Sequence, residues 1–197
     1  MPRSYVGNPD IVAYYEKAGW EAYYDRNWPR ALWLLVRLNH EAFGMSWVDA
    51  LAAALDTVRA SIAFAPLEGN DIPKATRYMA RFYERARRTL DVSADAQTLA
   101  ALELDYWIVH RELAIRRKQN REDDDIEPMV GSLAALHAAL FNATPQAMRL
   151  SAEWRARAAE AVDRITGKYS DDVDEDWRRV EAYLQNAYRA VKVELEK

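Results

Sequence analysis

The chain has 197 residues, half of them apolar and 29% charged, with only six glycines and seven prolines. That composition excludes disorder and favours helices over sheets, and the length suits one all-helical domain over 1–197 or a division into 1–120 and 128–197. A formal charge of −4 gives no ground for nucleic-acid binding, no run of eighteen apolar residues spans a membrane, and the absence of cysteine removes disulfides and thiolate ligands.

Start and stop signals divide the sequence into seven or eight helices. Asn8-Pro9 is a cap followed by proline at the first helical position, predicting a helix to about Arg26. "DRNWP" turns the chain into a second helix from Pro29 to Phe43, with Gly44 beyond its end. "SWVD" (Ser46 to Asp49) is a capping-box variant opening a third. There Trp47, Leu51, Leu55, Val58 and Ile62 form one apolar stripe, the strongest amphipathic pattern in the chain.

"APLEGNDIP" is the first real loop, and a fourth helix follows to about Leu90, with Met79, Phe82, Tyr83, Ala86 and Leu90 inward. "DVSAD" separates it from a long fifth helix, about 94–119. The charged connector "NREDDDIEP" is the one candidate internal boundary. A sixth helix, Pro128 to Phe141, is apolar nearly all round and is predicted to be buried or to lie at an interface. Thr144-Pro145 caps a seventh, ended by Gly167, and the acidic "KYSDDVDEDW" leads into an eighth. Short links imply antiparallel neighbours and hence a multi-helix bundle.

"YEKAGWEAYYDRNWPRALWLL" resembles a tetratricopeptide helix pair, with Tyr15, Gly19, Ala31 and Leu35 near that repeat's packing positions. The likeness covers the first two helices, and no second copy follows about 34 residues on, where a solenoid needs several. Seven tryptophans and eleven tyrosines, many of them here, read as packing surface with polar tips or as walls of a ligand pocket.

The candidate site lies on the fifth helix. In "LELDYWIVHREL", Leu99, Leu102, Tyr106, Val109 and Leu113 share one arc, and Glu103 and His110 fall inside it, with Trp107 at its border. Leu104, Ile108 and Ile115 make a second apolar side, which predicts a central position for this helix. A buried carboxylate must be paired, hydrogen-bonded or protonated. Seven residues separate the two groups by about 10 Å along the axis, so each is expected to meet polar groups of facing helices. Arg37, Asn39, His40 and Glu41 on the second helix are the nearest candidates, Asn39 within its apolar arc, Glu41 at the edge and His40 nearer solvent.

This pattern predicts a small molecule or cofactor bound between the first, second and fifth helices, with Glu103, His110, Tyr106, Trp107, Asn39 and Glu41 as contacts. The sequence names no cofactor. A protein–protein interaction or scaffolding module is the alternative, and the apolar sixth helix favours a homo-oligomer. A third reading is a non-haem iron or manganese oxidoreductase. The Glu–His spacing of seven is similar to that of haem-oxygenase-like di-iron proteins, which would make Glu103, His110 and Glu41 the ligands. No Glu-x-x-His pair, phosphate loop or nucleophile elbow accompanies them. The start, "MPRSYVGNPD", has no apolar stretch of a secretory signal, so the expected location is the cytoplasm.

Overall fold

The computed structural model describes residues 7–120 and 124–197. Among them are eight helices and no strand: α1 (Pro9–Tyr24), α2 (Trp28–Phe43), α3 (Trp47–Phe64), α4 (Ile72–Ala86), α5 (Ala96–Gln119), α6 (Glu127–Phe141), α7 (Pro145–Thr166) and α8 (Val173–Leu195). No helix among the described residues is long and apolar enough to cross a membrane.

The ends follow local chemistry. Asn8, Ser46, Asp71, Asp95, Thr144 and Asp172 each place a side-chain oxygen on a free N–H of the first turn. Gly44 ends α2 at φ 64°, and Asn142 ends α6 at φ 53°, the left-handed region these residues tolerate best. Asn142 also joins α6 to the α4–α5 link: its side-chain oxygen accepts from Ser93 N at 2.8 Å. Part of the charged connector, residues 121–123, lies outside the described residues. On its far side Arg117 Nη2 donates to the carbonyl of Asp125 at 3.2 Å.

Each helix packs on its neighbours in sequence, and α8 returns to α1, so the eight close into a ring. The core is correspondingly a series of clusters. Met79, Phe82 and Leu99 pack with Ala50, Ala53 and Ala54 between α3, α4 and α5. Met129, Val130 and Leu133 of α6 meet Ala152, Ala156 and Ala159 of α7. Val180 and Leu184 of α8 meet Ala158, Val162 and Ala13. Alanine at so many contacts lets helix axes approach closely. Ala18, Ala22 and Leu34, with Tyr15 and Ala31, join α1 to α2.

One expectation is met and one changes. The sixth helix is buried, between α5 and α7, with Met129, Val130 and Leu133 fully covered, so its large apolar side chains pack within the chain. The fifth helix is not central: it lies against α4 and α6, with a lighter contact to α7, and Ile108 and Ile115 face solvent.

Candidate functional site

Glu103 and His110 do meet partners from other helices, but different ones. Tyr83 on α4 donates its hydroxyl to Glu103 Oε2 at 2.7 Å, and Trp107, one turn along α5, donates Nε1–H to Oε1 at 2.8 Å. Both carboxylate oxygens are engaged. Burial, reinforced by Glu103, holds the Tyr83 phenol well above its ordinary pKa, which keeps it a proton donor. His110 Nε2 donates to Asp163 Oδ1 on α7 at 3.0 Å, and its ring lies parallel to that of Tyr106 with centroids 5.8 Å apart. Asp163 Oδ2 in turn accepts from the buried Arg117 at 2.9 Å. The result is a chain His110–Asp163–Arg117 tying α5 to α7.

Asn39 and Glu41 are not brought to this group. Asn39 is buried and donates Nδ2 to the carbonyl of Ala50 at 3.3 Å, fastening α2 to α3. Glu41 accepts from Asn8 N at 3.1 Å, at the start of α1. Glu103, His110 and Glu41 therefore do not converge as metal ligands, and among the described residues no three His, Asp or Glu side chains are gathered to hold an ion.

A second buried network escapes the periodicity. Glu16 on α1 takes a bidentate pair from Arg155 on α7, at 2.5 and 2.9 Å, and a hydrogen bond from the Tyr188 hydroxyl on α8. Burial opposes the charge on Arg155, yet Glu16, Tyr188 and Tyr106 together outweigh it and raise the guanidinium pKa. Burial and Glu16 likewise push the Tyr188 phenol up. His137 on α6 hydrogen-bonds Ser151 at 2.9 Å, and its pKa falls to about 3, first from burial and then from Arg155.

Beside the first chain lies a cleft of about 400 Å3 lined by Arg117, Glu160, Arg164, Tyr169, Asp176 and Arg179. Asp124, Asp171, Asp172 and Glu175 complete its lining, so carboxylates outnumber the three arginines there; Asp176 takes Arg164 at 3.4 Å, Arg179 at 3.3 Å and the Ser170 hydroxyl at 2.7 Å.

The most unusual surface is on α3, where an apolar stripe would ordinarily face the core. Here it faces water. Val48 is 79% exposed, Leu51 45%, Leu55 36%, Val58 38% and Ile62 68%, while Asp56 on the opposite side is 2% exposed. The inversion has a local cause. The inward side carries Ala50, Ala53, Ala54 and Ala60, which pack against α4, together with two carboxylates met by cations. Asp56 lies 3.7 Å from Arg85 and 3.5 Å from Arg59, and Asp49 lies 3.3 Å from both Arg85 and Arg88. Alanines and paired carboxylates cover one side; the large hydrophobes remain on the other.

The stripe continues into α2. The Trp33 and Trp47 rings stack at 6.0 Å, His40 stacks on Trp47 at 4.0 Å, and the Arg37 guanidinium lies over all three of Tyr15, Trp33 and Trp47. His40 is held there by its Nδ1–H to the Met45 carbonyl at 2.6 Å. Trp33 and Trp47 are both about half exposed.

Compared with known proteins, no family model, curated protein or solved structure matches this chain.

Proposed function

We propose that this chain is a protein–protein interaction module that docks a partner helix on the outward face of α3. The observation that supports this reading is the inversion itself: five large hydrophobes in a row stay in water while aspartate is buried behind them. Monomeric proteins rarely leave so continuous an apolar patch exposed, and an amphipathic helix laid along such a stripe is a recurrent mode of recognition. The tryptophan stack at one end supplies the aromatic anchors that dominate binding energy at interfaces. The polar groups of α5 support the scaffold in this reading, since their hydrogen bonds run within α5 and to α4 and α7.

The test is photo-crosslinking in living cells, with benzoylphenylalanine placed at Val58 and, as a control, at the exposed Glu112 on α5. A discrete protein adduct at Val58 that is absent at Glu112 is the expected result. No adduct at Val58 above the control level overturns the reading.

Small-molecule binding is a second reading, favoured by one observation: His110 keeps 27% of its side chain open, and the Asp163 that orients it is shared with Arg117, a wall of the polar cleft. Native mass spectrometry of the purified chain tests it. A non-covalent adduct lost in His110→Gln and Arg117→Met supports it; an adduct-free spectrum counts against it.

A further inference from the structure

We infer that the occupant of the α3 face is a second copy of this chain, with α3 pairing against α3 in the antiparallel sense across a two-fold axis; this rests on the docking reading above. Val48, Leu51, Leu55, Val58 and Ile62 follow one another at spacings of three, four, three and four residues. That is the a/d pattern of a coiled-coil seam over two heptads. A core-facing helix usually adds a third apolar position, giving a broader stripe; here the small, partly exposed Ala52 and Ser61 flank the seam instead. Small flanking residues let a second helix approach, and five apolar seam positions without a charge select a partner with the same seam. A surface that is complementary to itself closes into a dimer about a two-fold axis.

The area is in the right range. With Trp33 and Trp47 the seam leaves on the order of 600 Å2 per chain, so two copies bury about 1,200 Å2, the lower bound of a specific interface. The antiparallel sense follows from the ends. The Trp33–Trp47–His40 stack stands at the N-terminal end of α3, and a parallel pair would bring two such stacks into the same space. Head to tail, each stack meets the partner's open end near Ile62, and the helix dipoles oppose favourably. In that register Leu55 faces Val58, and Leu51 faces Ile62, of the two copies.

Analytical ultracentrifugation of the purified full chain tests association. The expected species at tens of micromolar has twice the 22.7 kDa chain mass. Leu55→Glu/Val58→Glu is expected to sediment as a monomer with an unchanged far-UV spectrum, and Ile115→Glu on α5 to remain dimeric. Leu51→Cys/Ile62→Cys tests the register, since the chain has no other thiol. Eleven residues place the two sulfurs about 16 Å apart within one helix, too far to bridge, so any disulfide under mild oxidant joins two chains, and one that forms in the double variant but in neither single variant marks antiparallel α3 pairs. Neither single cysteine variant is expected to cross-link.

A monomeric wild type at 200 μM overturns the inference, as does a dimer that survives Leu55→Glu/Val58→Glu. A dimer that is lost in that variant, yet cross-links with Leu51→Cys alone, overturns the antiparallel register. If the wild type is monomeric but Val58 still gives an adduct with another protein in cells, self-pairing fails and the docking reading stands. If Val58 gives no adduct at all, the docking reading fails with it.

Discussion

Leu55 and Asp56 are neighbours in the chain, and the hydrophobe stands at the surface while the carboxylate is buried, within 3.7 Å of Arg85 on α4. This reversal predicts a reversal in mutational cost. Leu55→Glu is expected to cost no more than about 1 kcal/mol at nanomolar concentration, since part of this side chain already stands in water. Asp56→Ala removes the carboxylate that Arg59 and Arg85 share, leaving Arg85 only Asp49, and is expected to cost about 1–3 kcal/mol. Urea denaturation of both variants checks the pair; a larger loss for Leu55→Glu refutes the orientation of α3.

Arg155 joins α1, α7 and α8 through Glu16 and Tyr188. Arg155→Met leaves the Glu16 carboxylate buried without its cation and is expected to cost at least about 3 kcal/mol. The triple variant Glu16→Leu/Arg155→Met/Tyr188→Phe removes every member of the network and is expected to recover most of that loss. Denaturation midpoints of the single and triple variants measure the difference. A triple variant as unstable as the single one refutes the cause.

Tyr83 and Trp107 both donate to Glu103, one to each carboxylate oxygen. Glu103→Leu leaves a phenol and an indole N–H without their acceptor, an expected loss of about 1–3 kcal/mol, whereas Tyr83→Phe removes one donor cleanly and costs about 1 kcal/mol. Equal losses in the two variants contradict the assignment of Glu103 as a shared acceptor.

His137 supplies a pH dependence with a definite sign. Its pKa is about 3 in the fold and 6.5 in the free side chain, so between those values the unfolded chain binds a proton that the folded chain does not. Stability is unaffected by this group above pH 6.5 and falls as pH drops below it, by about 1.4 kcal/mol per pH unit. From pH 6.5 to 5 the expected loss is about 2 kcal/mol. In His137→Gln that slope is absent over the same interval. A wild type and variant with parallel stability curves there refute the assignment.

The helix ends were legible because a cap is a local event: Asn8, Ser46, Asp71 and Thr144 sit where their side chains bond within the same first turn. Burial of α6 was legible from an apolar run with no polar side. The inward turn of Glu103 was readable from its place in the apolar arc of α5; Arg117 and Asp163 went unread, although they fall at helical spacing from His110 and from Ala156 and Ala159. Pairing between helices was not readable, since Glu16 and Arg155 stand 139 residues apart and periodicity carries no information on which faces meet. The α3 stripe shows the limit most clearly. Its amphipathic pattern separates two faces, and only the arginines of α4, with the alanines of α3 itself, decide which face is covered.

The outward orientation of α3 is tested most directly by thiol-labelling rates in dilute protein. Ile62→Cys and, separately, Ser151→Cys give single-thiol variants, one on the seam and one at a buried position of α7. At nanomolar concentration the Ile62 variant is expected to react with maleimide within about tenfold of a free thiol, and the Ser151 variant orders of magnitude more slowly, limited by opening of the fold. Equal, strong protection of both thiols would contradict an open α3 face.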